Sequence, residues 1–240
     1  MRKYLFLLFI TLSPSQVVSD YIYTGVESMG LAGAVVANSG GEWALFHNPA
    51  GLAEESTSAV AVGHSELYGL SFLPYSYVGI IFTGDRIPNI GISFEQSSVT
   101  VGDNIELSKE ESIGITSAHY FQNDVNSKLG FGYRLNVMNW KLGHSAGVSG
   151  DGSDGISLGS STAFGIDIGF QAVLREKHRV GVEVQNINSP VIGKGISNQY
   201  LPRRMMIGMA YTPYKGFTTS LAMNRTVGMP MLIMGGVEYQ

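Results

Sequence analysis

The chain of 240 residues contains no cysteine. That absence excludes a disulfide framework and a thiolate metal centre, and an exported protein without cysteine needs no oxidative step in a periplasm. Charge is also scarce: Asp, Glu, Lys and Arg make up 14% of the residues, against about 25% in soluble domains. The net charge of −4 offers no electrostatic footing for nucleic acid or anionic lipid. Behind the N-terminus no apolar run approaches the ~20 residues of a membrane-spanning helix. Residues 78–82, among the longest, are followed within a few positions by Gly and Asp. Glycine, by contrast, is abundant at 31 residues. Few charges, many glycines and aromatics, and no membrane helix suit a β-barrel in an outer membrane, whose outer wall must be apolar. A soluble exported β-sandwich that binds a ligand or partner is the competing reading.

The N-terminus has the parts of an export signal. Arg2 and Lys3 supply positive charge, residues 4–12 are apolar, and Val17-Val18-Ser19 offers small residues for cleavage. Residues 1–19 are therefore expected to be a signal peptide, with the mature chain starting near Asp20. Residues 20–55 do not read as a strand array. Gly30, Gly33, Gly40 and Gly41 interrupt the pattern, and residues 31–37 fit a short helix or a strand equally well. Trp43, Leu45 and Phe46 form an apolar cluster. Asn48-Pro49-Ala50-Gly51 makes a rigid reversal, because Pro49 fixes its own φ and pushes Asn48 out of the helical region.

From residue 56 onward the pattern has period two. Phe164, Ile166, Ile168, Phe170, Ala172 and Leu174 alternate with Gly165, Asp167, Gly169 and Gln171. Residues 128–139 repeat this, with Arg134 on the polar side, and so do 180–185 around Glu183 and 90–95 ending on Glu95. Further strands are expected at 56–64, 74–83, 110–121, 203–213, 217–226 and 231–240. That makes about ten segments of outer-membrane length. Residues 144–161, rich in Gly, Ser and Asp, read as a long surface loop. The connections near 123–126, 174–178 and 212–216 read as short turns.

The order of several pieces carries a resemblance. Met29-Gly-Leu-Ala-Gly-Ala-Val-Val-Ala-Asn38 precedes Phe46-His-Asn-Pro-Ala-Gly-Leu52. Later come Ala163-Phe-Gly-Ile-Asp-Ile-Gly169, Val180-Gly-Val-Glu-Val-Gln-Asn186, Leu201-Pro-Arg-Arg-Met-Met-Ile-Gly-Met-Ala-Tyr211 and Gly235-Gly-Val-Glu-Tyr239. Together they resemble the PorV/PorQ-like group of FadL-like outer-membrane barrels. The resemblance implies an N-terminal plug over 20–55 inside a barrel over 56–240. It also implies about fourteen strands, so the ten seen here point to a smaller barrel or to missing C-terminal strands. Two roles are implied: passage of a hydrophobic small molecule, or a PorV-like structural role that holds secreted proteins at the surface.

No catalytic site is expected. His64-Ser65 and His144-Ser145 are adjacent on strands and point to opposite faces, so neither is a dyad. The five histidines lack metal-ligand spacing, and Asp151-Gly-Ser-Asp154-Gly lacks the later Glu of a calcium loop. Neither a metal nor a cofactor is implied. Glu95, Arg134, Asp167, Glu183 and Glu238 lie opposite the apolar faces and are the candidates for the lumen. There they are expected to pair with one another or with the plug, or to line a passage.

Overall fold

The computed structural model describes residues 21, 23–84, 87–101, 105–145, 147–148, 154–193 and 198–239. The signal-peptide reading over 1–19 lies outside the described residues.

Ten strands form one antiparallel sheet. They are β1 (Ala59–Glu66), β2 (Pro74–Gly84), β3 (Ile87–Val101), β4 (Ile105–Asn123), β5 (Ser127–His144), β6 (Ser157–Leu174), β7 (His178–Gln185), β10 (Arg204–Tyr214), β11 (Phe217–Thr226) and β12 (Leu232–Tyr239). Each pairs with its neighbour in chain order, and only the two-residue strands β8 (Val191–Ile192) and β9 (Gln199–Tyr200) form a separate ribbon. Among the described residues β1 and β12 are the edges of the sheet. A sandwich would divide these strands between two facing sheets. One continuous sheet replaces that alternative.

The expected strands are all present, but several run longer. β4, β5 and β6 have 19, 18 and 18 residues, against the ~9–11 that cross an outer membrane. The reading of 144–161 as loop is therefore corrected: the β5–β6 ladder continues through Leu142↔Gly159 to His144↔Ser157. Hydrogen bonding to a neighbouring strand satisfies the backbone there without any apolar pattern.

The wall is turned inside out relative to a soluble sheet. Along β6, Phe164, Ile166 and Phe170 are exposed, while Gly165, Asp167, Gly169 and Gln171 are buried. Leu135 and Val137 on β5, Ile113 and Ile115 on β4, and Met209 and Leu221 on β10 and β11 extend the exposed apolar band. Rings gather where the short turns lie: Phe121, Phe131 and Phe170 form a chain with centroids 5.7 and 5.0 Å apart, and Tyr214 stacks on Phe217. Tyr75 and Tyr77, by contrast, point inward and are buried.

Inside the wall lies the N-terminal segment. It holds one short helix, α1 (Val26–Gly30), and 3-10 turns at Gly41–Leu45 and Pro49–Glu54. Leu31, Val35, Val36, Leu45 and Leu52 are almost wholly buried. At ~1.5–3 kcal/mol per side chain, this burial offsets part of the entropy lost in ordering the segment.

The segment can lie so close because the wall is glycine where they meet. A Cβ at Gly91, Gly132, Gly169, Gly181 or Gly236 would come within 3.0 Å of Leu45, Pro49, Asn48, Val36 or Leu31 respectively. Those five glycines belong to β3, β5, β6, β7 and β12, so the sheet wraps around the segment. Glycine weakens a strand interior; here that cost is tolerated because two backbones approach each other.

Candidate functional site in the barrel interior

The register brings the inward charges together. Arg134 on β5 pairs directly with Asp167 on β6, and Glu183 on β7 sits opposite Gly169, two positions along. Arg134 Nε and an Nη donate to Asp167 Oδ2 at 2.9 and 2.8 Å. The same Nη lies 3.4 Å from Glu183 Oε1. All three side chains are buried. Asn136 Nδ2 and the Asn186 backbone N–H add bonds to Asp167 at 2.6 and 2.7 Å, and Gln185 Nε2 donates to Glu183 at 2.9 Å. A buried charge needs such partners on every lone pair.

Arg134 also reaches the N-terminal segment, where its other Nη donates to the Leu45 carbonyl. Asn48 does the same from the segment's side. It is fully buried; its Nδ2 donates to the Val36 carbonyl at 2.8 Å and to the Phe170 carbonyl of β6 at 3.2 Å. Its Oδ1 accepts from Ala50 N–H at 3.1 Å, capping the turn that Pro49 begins. Pro49 and Ala50 lie against Gly132, and Gly51 is packed on Ser39. Trp43 and Phe46 set their ring centroids 6.0 and 5.4 Å from that of Tyr77, and Leu45 packs in the same cluster with Ile81.

Glu95 accepts a hydrogen bond from Tyr75, whose hydroxyl lies 2.8 Å from Thr24 Oγ1. Glu238 is not part of this group. It lies on β12 beside Glu27 of α1, and burial, then Glu238 and Glu42, push Glu27 up to about 7. His47 is buried and donates from Nε2 to the Thr24 carbonyl at 2.7 Å. Burial above all, and then the positive charge of Arg134 and Arg204, hold its pKa down to about 4, so the ring is neutral.

Several contacts escaped the sequence reading. Arg179 binds Glu54 at 2.6 Å, Asn89 Nδ2 donates to the Leu52 and Glu55 carbonyls at 2.8 and 2.7 Å, and Gln171 Nε2 donates to Ala37 at 3.2 Å. The period-two pattern puts Arg179 on the face of Glu183, so that signal was present. Nothing in the sequence marked the partners of Asn89.

Above the Arg134 group, toward the longer connections, lies a cavity of about 60 Å³. Phe46 and Tyr21 of the segment line it, with Glu95, Arg134 and Arg204 on the wall and Ile192 and Leu201 around the small ribbon. Trp43 and Leu45 are not in its lining; they are packed against the wall. The open space borders Phe46 of the apolar cluster and several charged groups.

An antiparallel wall with an apolar outer face surrounds an inward-lying N-terminal segment, and solved structures share this fold. A mutant of TodX, described as a monoaromatic hydrocarbon channel, is similar with a TM-score of 0.50 at 11% identity, over 83% of this chain and 70% of that one. A Pseudomonas aeruginosa FadL homologue aligns with a TM-score of 0.45 at 12% identity, over 86% and 69%. No curated protein sequence matches. The family model described as "F plasmid transfer operon, TraF, protein" matches residues 92–224, from β3 to β11. That is more than half of the chain, and the chain belongs to this family. The matching model is not the PorV/PorQ-like group that the motifs resemble; what this chain shares with the TodX structure is its fold.

Proposed function

We propose that the protein is an outer-membrane β-barrel, set in lipid, that passes small hydrophobic molecules, with residues 20–55 as a plug in its lumen. The observation that carries the reading is the two-faced wall: exposed Phe164, Ile166 and Phe170 alternate with buried Gly165, Asp167 and Gly169, and the latter face meets the N-terminal segment. Exposed apolar strands of this extent need hydrocarbon around them. The named channel TodX supports a small hydrocarbon as the kind of molecule passed.

The test is uptake of toluene into liposomes that carry the purified protein. The intact protein should speed uptake over empty liposomes, and deletion of residues 20–55 should raise leakage or abolish uptake. Flux unchanged by the deletion counts against the plug.

The tightness of the glycine seat favours a second reading, a PorV-like barrel that stays sealed and holds secreted proteins at the surface. On that reading toluene uptake matches empty liposomes, and exported proteins co-purify with the barrel.

A further inference from the structure

The first helix of the N-terminal segment is held to the wall by one force and pushed from it by another. α1 has five residues, Val26–Gly30. Left-handed backbone brackets it, with Gly25 at φ 87° before it and Ala32 and Gly33 at φ 50° and 84° after it. A few such positions can absorb the dihedral change that lets a short element swing as a unit. Only one side of α1 is packed: Ser28 and the following Leu31 are buried, whereas Val26 and Met29 are exposed. The holding force is the close seat of Leu31 on β12, where a Cβ on Gly236 would lie 2.7 Å from the Leu31 Cα.

The opposing force is charge. Glu27 is the one titratable residue of α1. It lines a groove between α1 and β12 together with Glu238 of β12, and Asn38 and Tyr239 border the same groove. Glu42, from the turn at Gly41–Leu45, acts on Glu27 as well, and no cation among the described residues does. Burial first, then Glu238 and Glu42, push the Glu27 carboxyl up from 4.5 to about 7. Below pH 4.5 Glu27 is protonated whether α1 is docked or free, and docking carries no electrostatic cost. Between 4.5 and 7 the docked helix takes up a proton that the free helix lacks. Above 7 the docked helix carries a half-buried charge beside like charges, and the cost is full.

We propose that α1 is a pH-sensitive latch on β12, docked while Glu27 is protonated and loosened once Glu27 and Glu238 are both charged. Release bares the groove along β12, an edge of the sheet. The latch is independent of what the barrel passes.

The experiment is hydrogen exchange of the full chain in detergent at pH 5 and pH 8, read by mass spectrometry and corrected for the intrinsic base catalysis of exchange. Met29, Leu31 and Gly33 donate their N–H groups to the Gly25, Glu27 and Ser28 carbonyls, so a peptide over 25–33 reports the docked helix. Its protection should fall about ten-fold or more between the two pH values, a figure discounted for the partial exposure of Glu27. A peptide over 46–52 should keep its protection. Glu27→Gln should hold α1 protected at both pH values, and Glu238→Gln should shrink the loss. Equal protection of the parent's 25–33 peptide at pH 5 and pH 8 overturns the proposal, as does a loss of the parent's size in Glu27→Gln. If Glu27→Gln does not fold, an undiminished loss in Glu238→Gln overturns it instead. Toluene flux through the same preparation tests the transport reading separately, since neither result fixes the other.

Discussion

At the scale of single residues, Arg134 has the most to lose. It joins Asp167 and Glu183 of the wall to the Leu45 carbonyl of the N-terminal segment. Arg134→Met leaves two buried carboxylates without their cation, and removing one partner of such a group costs about 3–5 kcal/mol. Urea unfolding in detergent should show a loss of that size; a midpoint equal to the parent's would mean that the group is solvated. His47 gives a pH signature. Its pKa falls from 6.5 in the unfolded chain to about 4 in the fold, so the unfolded chain takes up the proton first as acid is added. The stability it contributes is whole above pH 6.5 and declines as pH falls toward 4, by up to about 3 kcal/mol. His47→Gln should flatten that part of the profile, read as unfolding midpoint against pH.

At the scale of elements, the glycine seat and the strand pattern make separate predictions. Gly169→Val puts side-chain atoms where Asn48 and Pro49 lie. The N-terminal segment should become sensitive to protease while the β-sheet circular dichroism is kept; a segment as resistant as the parent's would contradict the seat. Outward positions respond to charge instead. Ile115→Arg on β4 exposes a guanidinium to hydrocarbon and should cost ~2–4 kcal/mol if the position is near the midplane, measured as refolding into liposomes. A strand face in water would tolerate it.

The elements also show what the sequence made legible. All ten strands of the main sheet, and the placing of Arg134, Asp167 and Glu183 on one face, follow from period two, because successive side chains of a strand face opposite sides of the wall. That rule lapses above the apolar band. The upper parts of β5 and β6 carry Ser, Gly and Asn, and only the ladder shows that they are strands. The N-terminal segment was legible as irregular but not in its contacts. The meeting of Leu45 with Gly91, or of Val36 with Gly181, joins residues far apart in the chain, and no local pattern encodes it. Tyr75 and Tyr77 illustrate the same limit, since their inward direction is set by the cluster around Leu45.

At the scale of the whole molecule, the abundance of glycine and the scarcity of charge have one cause. The outer face has little use for charge, while the inner face needs glycine where the N-terminal segment lies and holds its charges in bonded groups, Arg134 with Asp167 and Glu183, and Arg179 with Glu54. The native absence of cysteine makes the arrangement directly measurable. Single cysteines at positions 135, 137, 164 and 166 outward, and 136 and 171 inward, can carry nitroxide labels in a chain refolded into bilayers. Collision rates with oxygen, which dissolves in lipid, should be high at the first four and low at the other two, with the reverse trend for a water-soluble nickel reagent at the lipid-facing sites. Equal exposure of both faces to the aqueous reagent would contradict a wall set in hydrocarbon.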